Sequence, residues 1–347
     1  MSLYPILAIL TLSAFKDFTL EEKIAQLLLF TIKEQYISNT TDAYHIIRDY
    51  KIGGIILAAS NIINPTQLLT LTTALQTASD TPLFIAVTQE GGWVVRLSPK
   101  NGFPDTYSAY AIEQFHNYSF TRECGSNIGK TLSLMNINMN FAPDTDLRIN
   151  PSNPIIAKYN RSFSADPVED TIQAKEFIDG MHQYGIISCI KHFPGHGSST
   201  SDSHVGFVDV TDTWQPIELD PFRNLANDTE MVMTAHIYNK NLDMTYPASL
   251  SKATVTGILR EKLKFDGLII TDSLTMGAIV DNYEYEDAIV LAVNAGNDIL
   301  LIGSDDASYP KLTIDILVGA VKSGRIAMNR INESFNRVMK AKREMLK

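Results

Sequence analysis

The sequence predicts an α/β protein built as a single (β/α)8 barrel of TIM type, irregular in its first strands. Three observations carry that expectation. Eight short runs rich in Ile, Val, Leu and Phe recur along the chain, each closed by polar or glycine-rich residues. They are nearly continuous in apolar character rather than alternating, as parallel strands buried on both faces are. Amphipathic stretches lie between them, and eight strands alternating with helices close most simply into a barrel. A doubly wound open sheet is the other arrangement of the same alternation.

Taken in order, residues 1–18 form an apolar lead-in ahead of a barrel domain spanning 19–347. Its centre, LYPILAILTLSAF (3–15), has the character of a signal-peptide core, yet no Lys or Arg precedes it and the first charge is Lys16. It reads as a segment that packs against the first helix, with export as the alternative. Thr19-Leu20-Glu21-Glu22 has the form of a capping box, and Leu20, Ile24, Leu27 and Leu28 follow at helical spacing. Strands are expected at LLFTI (28–32), GGIIL (53–57), LFIAVT (83–88), MNFAP (139–143), IISCIKH (186–192), MVMTAH (231–236), LIITDS (268–273) and DILLIG (298–303). The first abuts the helix before it with no breaker between. Helices are expected over 168–185 and 285–296, and one last helix over 311–347. No linker, repeat or low-complexity stretch divides the 347 residues, so one domain accounts for them.

Composition narrows the function. Hydrophobic residues make up 45% and charged residues 20% of the chain, which excludes intrinsic disorder, and no apolar run is long enough to span a bilayer. The net charge of −10 argues against nucleic acid or an anionic membrane as partner, since both select a basic face. Two cysteines, Cys124 and Cys189, cannot make a disulfide framework or a four-thiolate zinc site.

In a barrel of this kind the active site lies at the C-terminal ends of the strands. Those ends carry Gln89-Glu90-Gly91-Gly92, Asp144-Thr145-Asp146, Lys191-His192, His236 and Asp272, which is the inventory of a built pocket. The densest feature is KHFPGHGSSTSDSH (191–204), which holds His192, His196 and His204, three of the seven histidines. Its second half, 195–203, has no apolar residue and reads as a mobile surface loop. There Asp202 can orient His204 and hold it basic, or both can simply satisfy backbone groups. Asp272 closes an apolar strand and is either a helix cap or a nucleophile aimed into the barrel mouth. Arg161 and Arg96 are either surface ion-pair partners or forks of donors for a ligand's oxygens.

QEGGWVVRL (89–97), NPIIAKYNRSFSADP (153–167), KHFPGHGSSTSDSH (191–204), VMTAH (232–236) and FDGLIITDSLTMGAI (265–279) occur in that order. Together they closely resemble glycoside hydrolase family 3, in its β-N-acetylglucosaminidase branch, from about Thr19 to the C-terminus. The resemblance implies a cofactor-free, metal-free, retaining hydrolase of terminal β-linked N-acetylglucosamine. Asp272 matches the nucleophile, His204 the acid/base and Asp202 its dyad partner. Arg96, Arg161, Lys191 and His192 match positions that hold the sugar's hydroxyl and acetamido groups. His236 and Met276 fall at matching places in the same pocket. One-domain relatives act mostly on peptidoglycan-derived fragments in the bacterial cytoplasm. The expected partner is therefore a muropeptide or chito-oligosaccharide, and the expected state a monomer. A histidine in place of the common carboxylic acid would not repel an anionic acceptor, so phosphate stands beside water in that role.

One position departs from the family. Thr88 stands where an Asp usually precedes Gln-Glu-Gly-Gly, and a hydroxyl in its place forfeits roughly 1–3 kcal/mol of hydrogen bonding to the sugar. This leaves altered sugar specificity, such as a β-glucosidase, as an alternative. Two other classes compete. A metal-dependent hydrolase could use His192, His196, His204, His236 and Asp272, although Phe193-Pro194-Gly195 breaks any helix that would align His192 with His196. A non-catalytic sugar-binding barrel would explain Thr88 but not the intact Asp272, Asp202 and His204.

Overall fold

A computed structural model describes residues 18–346, so the lead-in expected over 1–18 lies, but for Phe18, outside the described residues. Eight parallel strands form the central sheet: β1 (Leu28–Thr31), β2 (Gly54–Ile56), β3 (Phe84–Val87), β4 (Met139–Asn140), β5 (Ile187–Phe193), β6 (Met231–Thr234), β7 (Leu268–Thr271) and β8 (Leu300–Ile302). Each strand pairs with its sequence neighbour. β1 also pairs with β8 at Leu29↔Leu301, and an Ile270↔Ile299 bridge joins the last two strands. The sheet is thus a closed barrel rather than the open alternative. Nearly every strand residue is buried, as expected where side chains pack both into the barrel and against the helices around it.

Irregularity falls later than the sequence reading placed it. β1 is regular, whereas β4 is two residues long because Pro143 follows almost at once with no N–H to donate. Two asparagine side chains take over its pairing. Asn140 Oδ1 accepts from Gln89 N (2.9 Å) while its Nδ2 donates to Gln89 O (3.0 Å), and Asn138 bonds Ile85 N and Leu83 O in the same fashion. In β5 the pairing with β6 shifts register between Ile190 and Phe193, which re-aims Lys191 and His192.

The capping box at Thr19 and Glu22 is present, but the helix it opens ends at Ala25. Leu27 and Leu28 belong to the entry of β1 instead, because Gln26 is drawn aside to donate to Lys51 O (2.6 Å). The helix expected over 168–185 is Pro167–His182, capped by Asp166, and that over 285–296 is Tyr285–Ala295. The single last helix is in fact two, Tyr309–Lys322 and Met328–Met345. Gly324 sits between them at φ +79°, a conformation that ends the first helix. Among the described residues no helix is long and apolar enough to cross a membrane.

Candidate active site

All eight strands point their C-terminal ends the same way, and the polar residues that close them meet around a cavity of about 710 Å³. Thr88, Arg96, Arg161, Lys191, His192, Asp202, His204, Asp272 and Met276 line it, as do Trp93 and Tyr159. A larger hollow of about 810 Å³ lies at the opposite end of the barrel around Tyr184, Glu230 and Leu346, away from these groups. In this architecture the chemistry belongs to the strands' C-terminal end.

Beneath the cavity lies a buried charge network. Glu90, three residues beyond the β3 end at Val87, accepts from Arg161 Nε (2.9 Å) and Nη2 (2.8 Å) and faces Lys191 Nζ at 2.6 Å. Burial alone would raise its pKa, but Arg161 and Lys191 outweigh burial and hold the carboxyl far below the ordinary carboxylate range. Asp146 accepts from His192 Nδ1 (2.6 Å) and from the backbone N–H groups of His192 (3.2 Å) and His196 (2.6 Å). It too stays low against the penalty of burial. Asp144 differs: it lies 3.1 Å from Arg161 Nε, whose N–H is aimed at Glu90, and burial pushes its carboxyl well up. Both cations thus face Glu90, while Asp144 borders Arg161 and Asp146 pairs with His192. Arg161 is therefore not a surface ion-pair residue: it and Lys191 are buried donors in the cavity lining, held by Glu90. His192 is equally preset: its Nδ1–H goes to Asp146, and its Nε2 faces Arg161 Nη2 at 3.3 Å.

The segment 195–203 is not the exposed loop its composition suggested. Gly195 to Ser199 and Ser203 are buried, and only Thr200 and Ser201 within that stretch are exposed. Hydrogen bonds replace the missing apolar groups. His196 Nδ1 meets Ser199 Oγ (2.7 Å), Asn153 Nδ2 donates to His196 O (2.8 Å), and Trp214 Nε1 donates to Pro194 O (3.0 Å). At its end Asp202 Oδ1 accepts from both the backbone N–H (2.9 Å) and Nδ1 (2.7 Å) of His204, whose ring is exposed at the cavity edge. Partial burial opposes ionisation of Asp202, but these two bonds outweigh it and keep its carboxyl low.

This turn is seated on the connection after β7, where Ala278 N donates to Ser203 O (3.2 Å). The dyad is thereby fixed beside Asp272. That carboxyl is half-buried, and burial would raise it. The imidazoles of His192 and His236 and the Ser273 N–H (2.8 Å) prevail and hold it below its ordinary value. It does not cap a helix: Gly277–Val280 starts five residues later. Of the residues matched to the family's site, His236 is the one outside the cavity lining. Both ring nitrogens are occupied, Nδ1 with Ser249 Oγ (2.7 Å) and Nε2 donating to Ser273 O (2.8 Å). It steadies the backbone beside Asp272 rather than facing a ligand.

Donor commitments also bear on the metal-centred alternative. His196, His236 and His204 spend ring nitrogens on Ser199, Ser249 and Asp202, and they do not converge. Among the described residues the group with metal-ligand spacing is Asp144, Asp146 and His192, in which Asp146 already holds His192 Nδ1 and Asp144 borders Arg161. Glu90, Asp144 and Asp146 were visible as strand endings, but nothing local to them revealed their partners.

The family model described as Glycosyl hydrolase family 3 N terminal domain matches residues 19–341. Beta-hexosaminidase A of Pseudoalteromonas piscicida is 34% identical over 328 residues, covering 86% of this chain and 54% of that protein. The chain thus spans about half the length of that relative. Beta-hexosaminidase of Tolumonas auensis is 38% identical over 263 residues, covering 74% of this chain and 77% of that protein. The solved structure of a glycoside hydrolase family 3 beta-N-acetylglucosaminidase from a Paenibacillus species superposes with a TM-score of 0.89 at 34% identity. It covers 95% of this chain and 64% of its own.

Proposed function

The chain belongs to glycosyl hydrolase family 3, and from that premise we propose that it is a retaining, exo-acting β-N-acetylglucosaminidase. The observation that carries this reading is the meeting of two reactive groups at one cavity: the carboxyl of Asp272, held ionised, and the Asp202–His204 pair. Asp272 attacks the anomeric carbon while His204 Nε2–H protonates the departing oxygen. The bond to the aglycone breaks and a glycosyl–Asp272 ester forms. Water then enters, His204 Nε2 takes its proton, and the oxygen displaces Asp272 from the sugar. Asp202 on Nδ1 stabilises the imidazolium at the start and end of this cycle.

Arg96, Arg161, Lys191 and His192 supply donors for the hydroxyl and acetamido oxygens. Relatives named beta-hexosaminidase in bacteria support an N-acetylglucosamine substrate, drawn from peptidoglycan fragments or chito-oligosaccharides. Within this reading a monomer suffices, since one chain supplies every group, and the site of action is the cytoplasm. Turnover of a chromogenic β-N-acetylglucosaminide, beside the matching β-glucoside, tests it in wild type and Asp272→Ala. Cleavage of the acetamido sugar alone, lost by at least 10³-fold in the variant, is expected. A preference for the glucoside would transfer the reading to a β-glucosidase shaped by Thr88. No cleavage of either sugar would favour a binding barrel.

A further inference from the structure

Which side of the cavity the leaving group occupies follows from His204. A general acid must reach the oxygen that joins the two halves of the substrate, so the half that departs lies on the outer side of that imidazole. This step rests on the glycosidase reading above. Immediately beyond His204 the chain carries exposed apolar side chains: Val205 is 78% and Phe207 49% exposed. The Phe207 ring lies 5.5 Å from that of Tyr238, and Tyr238 Oη donates to Met244 O at 3.0 Å. Met244 is itself 84% exposed.

The surface is firmly backed. A short ribbon pairs Val208 with Ile237 and Asp209 with Tyr238, and its inner side chains join Val210, Ala235 and Ala248 in a small buried cluster. Gly277 and Ala278, beyond the nucleophile strand, donate to His204 O (3.4 Å) and Ser203 O (3.2 Å). Exposed apolar side chains beside a reactive group suit a binding face. Two nearby carboxylates bond their own turns: Asp209 Oδ1 accepts from Thr211 N (2.8 Å) and Asp243 Oδ1 from Thr245 N (2.7 Å). Phe207 offers an aromatic face to solvent, and Val205 and Met244 aliphatic ones. A pyranose matches them, with an apolar C–H face and hydroxyls around its rim.

We propose that Phe207, supported by Tyr238 and Met244, forms the leaving-group subsite, and that it takes a second pyranose ring stacked by its C–H face. The substrate class is then a β-linked oligosaccharide, selected by the ring next to the scissile bond. The test compares the N-acetylglucosamine disaccharide chitobiose with methyl β-N-acetylglucosaminide. Both require acid catalysis, and only the disaccharide departs as a ring. In Phe207→Ala the ratio of kcat/KM for disaccharide over methyl glycoside should fall tenfold or more, chiefly through KM. Phe207→Trp should restore it. An unchanged ratio, including an equal fall on both substrates, overturns the subsite and assigns Phe207 to the loop's own packing. Wild type that cleaves neither substrate overturns the glycosidase reading, and the subsite with it.

Discussion

Glu90 compensates two cations at once, and through them it presets two of the side chains that face the cavity. The site's positive wall therefore depends on a residue that no substrate needs to touch. Glu90→Gln would leave Arg161 and Lys191 buried without their anion. It should cost about 3–5 kcal/mol of stability in chemical denaturation and raise KM at least tenfold, because a broken buried pair strands its charges. The residues proposed to react were legible locally. Asp272 ends an apolar run, and Asp202 and His204 stand two apart in a motif of high specificity. The role of Glu90 was not legible, since its partner Arg161 is 71 residues away. The placement of His236 at a strand end was readable, but its commitment to Ser249 and Ser273 was not.

At the scale of elements, the segment 191–204 shows how polar composition misleads about burial. Glycines and serines without apolar neighbours usually mean a solvated loop. Here Asn150, Asn153, His196 and Ser199 satisfy one another and the backbone, so the segment packs as a polar core. Close approach is part of that packing: a Cβ on Gly197 would lie 1.7 Å from Leu147 O. Gly197→Ala must displace this segment from the β4 connection and carry Asp202 and His204 with it. Activity should fall at least a hundredfold, as expected for a general acid moved out of reach. Stability should fall as well, and kinetics at a temperature well below the melt separate the two effects. The strands were legible because a buried parallel strand is apolar on both faces. The break at Gly324 was missed because amphipathic spacing continues across it.

At the scale of the whole molecule, Lys342 ties the last helix to the start of the barrel. Its ammonium is buried, donates to Gln26 Oε1 (2.7 Å) and Gly53 O (2.8 Å), and lies 4.9 Å from the Phe84 ring centroid. Burial pushes its pKa down to about 7. The unfolded chain, with an ordinary lysine, binds that proton at higher pH than the fold does. Stability from this group is thus present above the ordinary lysine range and lost as pH falls toward 7. Lys342→Met should remove up to about 1.4 kcal/mol per pH unit of that slope between pH 8 and 10, read as the difference between wild-type and variant denaturation curves. A slope identical in both would show the ammonium stays charged in the fold. The sequence by itself determined the barrel, the end of it where the candidate site lies, and the nucleophile and dyad candidates. These rest on periodicity and on residue types at strand ends, which are local properties. Only the tertiary structure decided which carboxylates hold which cations, that the 195–203 segment is buried, and that an apolar face flanks His204. Each of those is a contact between groups distant in sequence, and periodicity carries no record of distance through space.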